Sequence, residues 1–329
     1  MRVVVACGPY EGLGPEATGV AIARAWASFG AEVAVVPMAE AGTDFAPAFA
    51  ALTSGASDHL LVTCPDLSGR EASTMVGQAV GDALDGCAPE VREVWVDIVG
   101  ADWRDGGAGM LAALGAVADV PLDRGVDALA GITQIDLAPV RARLAGRLLH
   151  LVVSPQGEAG HLTGMRGITA AHGHAHGADP AEMLAQDQAL VDLAAACGRP
   201  ELATVAGSGA QGGLGFVALL TGGRVATGPA WCAEFAGLAG TIAQADLVVT
   251  GYDQLEFGTK GGALVPLVAE LAEQAMRPVV AVARHNWVSA RELRTMGIEE
   301  GYTLSPENEP LTTTQVTSVC LPVARTWSW

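Results

Sequence analysis

Lysine is almost absent from this sequence. Only 18 of its 329 residues are Lys or Arg, against 36 Asp or Glu, and Lys260 is the single lysine. The net charge of −18 disfavours non-specific binding to nucleic acid, because a phosphate backbone is held by a basic surface. A small anionic substrate would therefore need a local positive group. The excess of arginine over lysine, together with the many Ala and Gly residues, is typical of a GC-rich genome, but that bias would not determine the position of Lys260.

Long hydrophobic runs and closely spaced cysteines are also missing. Half of the residues are hydrophobic, yet no apolar run reaches the roughly 18–20 residues that a membrane-spanning helix needs. The N-terminal residues enter a strand-like run without the apolar core and cleavage site of a signal peptide. The six cysteines are scattered, which argues against a disulfide framework and a zinc ribbon. We therefore expect a cytoplasmic protein without a membrane partner.

What the sequence does contain is an alternation of apolar strands and helices. Predicted strands at Arg2–Ala6 and Glu32–Pro37 flank a predicted helix at Pro15–Ser28, and the same pattern returns after Ala245. Such alternation is typical of βαβ units and of a parallel sheet covered by helices. The sequence therefore predicts an α/β protein.

The two ends of the chain are predicted to share one domain. Strands that flank an insertion usually rejoin in one sheet. We predict a flavodoxin-like parallel sheet covered by helices from residues 1–56 and 241–329, with residues 57–240 inserted as a second, mixed α/β domain. The tail after Pro306 is expected to pack loosely or as an edge.

A glycine-rich stretch, VAGSGAQGGLGF, occupies residues 205–216. Glycine allows left-handed backbone angles and a close approach to backbone N–H groups, and helix starts attract anions. The stretch therefore predicts either an anion or nucleotide cradle, or plain tight packing. The residues that would form the cradle are Gly207, Ser208, Gly209, Gly212 and Gly213.

Four motifs, in this order and over nearly the full length, resemble the glycerate kinases of the family-one type. They are DGGAGMLAALGA at 105–116, IDLAPVRARLAG at 135–146, the glycine-rich stretch, and ADLVVTG…T…G at 245–262 followed by a helix and PVVAVA. The resemblance implies an organic-acid kinase that phosphorylates glycerate or a related small hydroxy acid with ATP and Mg²⁺. The implied partners are a small hydroxy acid and a nucleotide; the oligomeric state is not predicted.

The charged positions of the family's motifs differ in this chain. A lysine after the family's first strand is replaced by Glu11, and the turn after the second strand contains Glu40. The family's Gly-Glu-Gly-Arg-x-Asp signature has become Gly251-Tyr252-Asp253-Gln254-Leu255-Glu256. Two hypotheses follow: a divergent kinase with a rearranged site, or a non-catalytic binding or regulatory homologue.

Five residues are candidates for the chemistry. Asp105 precedes two glycines at a predicted helix start, where it is either an N-cap or a catalytic group and Mg²⁺ ligand. Lys260, in FGTKGG, is either a phosphate-binding cation or a solvated loop lysine, and Thr259 beside it joins the nucleotide-binding set. Asp253 is a second candidate metal ligand and Glu256 a further catalytic candidate. Both acids could equally be surface carboxylates.

Three histidines, His172, His174 and His176, alternate in HGHAHG. They could bind a transition metal if the segment were extended, and the alternative is a mobile polar loop. Arg104 and Arg166 could each bind a carboxylate through a bidentate pair, and the alternative for both is a solvated surface arginine.

Overall fold

The computed structural model describes residues 1–64, 67, 73–100 and 103–328. The chain divides into two compact units, Met1–Ser54 with Thr227–Trp329, and Gly55–Ala226. The boundary at which the chain returns from the second unit to the first lies before residue 227. The sequence predicted this boundary after residue 240. Packing explains the difference, because Phe235 contacts Phe49 of the first unit edge to face, with ring centroids 5.4 Å apart. The division of the chain into two domains at the predicted boundaries stays a prediction.

Strands and helices alternate over much of the described chain. The strands are β1 Arg2–Cys7, β2 Glu32–Pro37, β3 His59–Thr63, β4 Glu93–Asp97, β5 Val117–Ala118, β6 Ile135–Asp136, β7 Leu148–Val153, β8 Val225–Thr227, β9 Leu247–Gly251, β10 Gln254–Leu255, β11 Val279–Ala283, β12 His285–Asn286 and β13 Glu300–Thr303.

The helices are α1 Pro15–Ala27, α2 Phe45–Leu52, α3 Thr74–Gly86, α4 Ala108–Ala113, α5 Ala138–Leu144, α6 Pro155–Ala159, α7 Ile168–His176, α8 Pro180–Ala196, α9 Ala210–Leu220, α10 Gly228–Phe235, α11 Leu238–Ala243, α12 Leu264–Gln274, α13 Ala290–Thr295 and α14 Thr313–Thr326. Short 3₁₀ segments lie at Val126–Leu129 and Pro200–Thr204.

The first unit contains a five-stranded parallel sheet in the order β2-β1-β9-β11-β13. β1 lies inside the sheet, where Val5 is opposite Val35 of β2 and Val249 of β9. Every residue of β9 and β11 is buried, as expected for parallel strands with helices on both faces. The predicted α/β fold with a flavodoxin-like sheet is therefore confirmed.

The C-terminal tail is a helix rather than a loosely packed edge. α14 begins with a capping box, in which Thr312 and Gln315 exchange side-chain to backbone hydrogen bonds. Its buried Val316 and Cys320 belong to the same apolar cluster as Trp26 of α1. The Thr-rich start of the segment is thus the cap of an amphipathic helix, not a sign of weak packing.

The second unit contains a sheet in the order β3-β4-β7-β8, in which β3, β4 and β7 are parallel. Its core joins these strands to α3, α4, α8 and α9 through buried side chains such as Val80, Val96, Leu111, Leu190 and Phe216. Among the described residues, no helix has the length and apolarity required to span a membrane.

Candidate functional site

A buried arginine lies where the strands of the first sheet end. Arg284 directly follows β11, and only 2% of it is exposed. β1 and β9 are parallel to β11 and end at Cys7 and Gly251, so their carboxyl ends lie at the same edge. In open α/β sheets, ligands bind outside this edge.

Two carboxylates hold the Arg284 guanidinium. Its Nε and Nη2 donate to the two oxygens of Asp253 at 2.7 and 2.8 Å, a bidentate pair. Nη2 also lies 2.9 Å from Oε2 of Glu11, and Nη1 donates to the Asn308 carbonyl. Hydrogen bonding to Asp253 raises the pKa of the Arg284 guanidinium, which therefore stays charged. Glu11, with 59% of its side chain exposed, is the outer partner.

Asp253 also accepts a hydrogen bond from the backbone, in addition to its pair with Arg284. Its Oδ1 accepts the backbone N–H of Glu11 at 2.8 Å, which ties the end of β1 to the end of β9. Both carboxylate oxygens are therefore occupied by protein donors. The role predicted for Asp253 as a metal ligand stays a prediction.

A third carboxylate, Glu40, lies at the start of α12. Its Oε1 accepts the N–H groups of Ala263 at 2.7 Å and Leu264 at 3.2 Å. A carboxylate is favourable there, because the first N–H groups of a helix lack intrahelical partners. Burial raises the pKa of Glu40, and the two N–H bonds act in the opposite direction. Gly262 has a φ of 69°, which would strain any other residue, and a β-carbon on it would displace the Glu40 carboxylate from the start of α12.

The loop ahead of α12 carries three of the residues predicted from sequence. Glu256 and Thr259 are exposed, and Lys260 is partly exposed with a positive φ of 50°. The Lys260 N–H donates to the Glu256 carbonyl at 2.7 Å, so the loop closes as a turn. No acceptor of the Lys260 ammonium group is found among the described residues. The predicted roles of Glu256, Thr259 and Lys260 stay predictions.

Asp105 is fully buried in the second unit. Its Oδ2 accepts the Ser73 N–H at 2.9 Å, the Ser73 hydroxyl at 3.1 Å and the Gly109 N–H at 3.0 Å. Its Oδ1 accepts the Gly107 N–H at 3.0 Å. Burial raises the pKa of Asp105, and these hydrogen bonds act in the opposite direction. The carboxyl group thus joins the starts of α3 and α4, and this geometry does not fit the catalytic and Mg²⁺ roles predicted for it.

The glycine-rich stretch packs against its own unit. A β-carbon on Gly209 would collide with the His161 carbonyl, one on Gly212 with the Trp103 carbonyl, and one on Gly213 with the Gly106 backbone. Gln211, Gly212 and Gly213 all have positive φ, at 48°, 66° and 104°. Close packing therefore accounts for these glycines, and their role as a nucleotide cradle stays a prediction.

Two further members of the predicted cradle are held in the same way. Gly207 has a φ of 85° and its N–H donates to the Gly160 carbonyl at 2.8 Å. The buried Ser208 hydroxyl accepts the Leu162 N–H at 2.9 Å and donates to the Ala203 carbonyl at 3.3 Å. Both residues fasten the stretch to the neighbouring loops.

The three histidines lie in α7 rather than in an extended segment. His172 and His176, four residues apart, stack with ring centroids 4.0 Å apart. In the described part of the chain, no group of three or more His, Cys, Asp or Glu side chains could hold a metal ion. Arg104 and Arg166 have no described ion pair, and their carboxylate-binding roles stay predictions.

Comparison with known proteins identifies the family. A family model described as the glycerate kinase family matches residues 66–319. The chain belongs to the glycerate kinase family. It is 30% identical to an uncharacterized protein of Mycobacterium bovis over 227 residues, which are 68% of this chain and 52% of that protein.

Two further relatives cover more of the chain. A glycerate 2-kinase of Escherichia coli is 25% identical, with 86% of this chain and 85% of that protein aligned. A crystal structure described as a glycerate kinase 2 of Salmonella typhimurium LT2 has a TM-score of 0.77 and 23% identity, covering 99% of this chain and 98% of that chain. At this identity the structural match shows the fold. The chain spans only about half the length of the mycobacterial relatives that it matches.

Sequence reasoning missed Arg284 and the cap formed by Glu40. The available signal for Arg284 was its place directly after the apolar run VVAVA, since that is where a buried parallel strand ends. Glu40 also follows a predicted strand closely. Neither contact could be derived from spacing, because Glu40 and Ala263 are 223 residues apart in the sequence.

Replacing Asp105 with alanine tests its structural role. Asp105→Ala leaves the buried N–H groups of Ser73, Gly107 and Gly109 without acceptors, so we expect the free energy of unfolding to fall by at least about 2 kcal/mol. Urea unfolding measures the change. The exposed Asp123→Ala is the control, with an expected change within about 0.5 kcal/mol. Equal free energies of unfolding for the two variants would contradict the structural role of Asp105.

The two partners of Arg284 should differ in their effect on stability. Asp253→Asn weakens the bidentate pair of a buried guanidinium. We expect the free energy of unfolding to fall by about 2–4 kcal/mol. This range is below that for a fully buried pair because 22% of the Asp253 side chain is exposed. Glu11→Gln removes an exposed partner and should change stability by about 1 kcal/mol or less. Urea unfolding of both variants checks the order. A larger loss for Glu11→Gln would contradict the assigned network.

Proposed function

We propose that this chain transfers the γ-phosphoryl group of ATP to a hydroxyl group of glycerate or a related small hydroxy acid. The transfer breaks the bond between the terminal phosphorus and its bridging oxygen, forms a phosphate ester and releases ADP and the hydroxyl proton. Membership of the glycerate kinase family supports this reaction class. The glycerate kinases named among the relatives support the choice of acid.

The observation that carries the proposal is the Arg284 guanidinium at the carboxyl edge of the first sheet. Arginine forms paired hydrogen bonds with carboxylates, and this one is charged on a strongly acidic protein. Asp253 fixes one side of it, whereas Glu11 is largely exposed. Because Glu11 is 59% exposed, solvent screens its pair with Arg284 to about 1 kcal/mol, so the carboxylate of an incoming hydroxy acid can displace it.

The proposed nucleotide contacts come from the exposed loop ahead of α12. Lys260, beside Thr259, is the candidate for binding phosphate oxygens, and Glu256 lies in the same exposed loop. The stretch Gly207–Gly213 fits a phosphate cradle poorly, because protein backbone already lies against Gly209, Gly212 and Gly213. Asp105 fits poorly as a Mg²⁺ ligand, because it is fully buried and holds the N–H groups of Ser73, Gly107 and Gly109. Asp253, which is partly exposed, remains the candidate Mg²⁺ ligand.

A coupled assay for ADP tests the reaction. The full chain is incubated with ATP, Mg²⁺ and glycerate, glycolate or lactate in turn, and acid-dependent ADP release is measured. We expect turnover well below the usual kinase range of about 1–100 s⁻¹. Glu11 already pairs with the Arg284 guanidinium, and Glu40 already accepts the N–H groups at the start of α12.

Arg284→Lys keeps the charge but loses the bidentate geometry, so we expect KM for the acid to rise about tenfold or more. The exposed Arg291→Gln in the same unit is the control and should leave KM unchanged. Absence of acid-dependent ADP release, together with no binding of the acid, would overturn the proposal in favour of a non-catalytic homologue.

A further inference from the structure

A cavity of about 350 Å³ lies in the second unit beside the start of β7. Its walls are largely apolar and include the buried Leu111, Val140 and Leu144, together with Leu148 and Leu220. Since Leu148 is the first residue of β7, the cavity lies at the amino ends of the strands. Its volume is at the lower end of the range for small-molecule sites, about 300–1,000 Å³.

The charged side chains that line this cavity are both arginines, Arg141 and Arg147. Neither forms an ion pair with any residue that the structure describes. Arg143, which lies between them in the sequence, is paired with Asp85 at 2.6 Å and donates to the Ala113 carbonyl, so it is committed elsewhere. Two unpaired guanidinium groups at one apolar cavity are unexpected on a chain of net charge −18.

Arg147 also has an unsatisfied donor. Its Nη1 donates to the Leu144 carbonyl at 3.3 Å, but its buried Nε has no acceptor among the described residues. Buried polar groups are nearly always hydrogen-bonded, and an orphaned charged donor is a strong exception. The Thr221 hydroxyl at the same cavity is already bonded to the Val217 and Ala218 carbonyls. That Nε is itself closed off from solvent, so a ligand in the cavity would meet the outer guanidinium nitrogens of Arg147 instead.

We propose that this cavity binds a small organic anion with an apolar chain. The carboxylate or phosphate head bonds to the outer guanidinium nitrogens of the partly exposed Arg147, Arg141 at the exposed side adds a second positive charge, and the chain contacts the leucine walls. A paired guanidinium contact is the usual way in which proteins hold either head group. The site lies wholly within the second unit and is independent of the kinase activity proposed above.

Calorimetric titration of the full chain with octanoate and with octyl phosphate tests the site, and octanol serves as the uncharged probe. We expect at least one anion to bind saturably, and at least tenfold more tightly than octanol. Arg147→Met should weaken anion binding tenfold or more. Arg141→Gln, at an exposed position, should weaken it a few-fold without affecting folding. The exposed Arg124→Met in the same unit is the matched control.

Three results would overturn the proposal. The first is the absence of saturable binding of either anion, and the second is equal affinity for the anions and octanol. The third is unchanged anion affinity in both Arg141→Gln and a folded Arg147→Met, whose folding is checked by its urea midpoint. The more tightly bound anion identifies the head group. Kinase turnover is not a readout of this experiment, so its outcome is separate from that of the coupled assay.

Discussion

The pairing of β1 with β9 is the constraint on which the first unit depends. These strands are parallel, and Val5 is opposite Val249, 244 positions later in the sequence. The chain must therefore leave the sheet after β2, build the second unit, and return. Because the paired strands run in the same direction, the segments after β1, β9 and β11 lie together at one edge. This geometry brings Glu11, Asp253 and Arg284 into one network.

The electrostatics of that edge follow from a scarcity of positive charge. The family that this sequence resembles has a lysine where Glu11 stands, and a single lysine remains in the whole chain. The structure places a buried cation, Arg284, within 2.9 Å of Glu11. The edge thus keeps a positive group. This group is supplied by the residue that follows β11 and not by the segment after β1. Glu40 plays a related part at α12, where a carboxylate of the chain occupies N–H groups that could bind an anion.

The sequence was informative where local pattern determines structure. Apolar strands and intervening helices predicted the α/β class and the shared sheet of the chain ends, because strand burial and helix periodicity are local properties. The helix α14 was missed, although Thr312 and Gln315 have the spacing of a capping box. For Asp105 the sequence left two roles open, an N-cap or a catalytic group and metal ligand, because an aspartate at a helix start suits either role. Contacts such as Arg284 with Asp253 and Glu40 with Ala263 depend on tertiary structure, which residue spacing does not contain.

In the proposed function, Arg284 is a carboxylate site from which Glu11 can be displaced. Calorimetric titration of glycerate into the unmodified chain and into Glu11→Gln, without nucleotide, tests this most directly. Removing the competing carboxylate should tighten glycerate binding by up to about fivefold, the value of an exposed ion pair. Equal or weaker binding by Glu11→Gln would contradict the account.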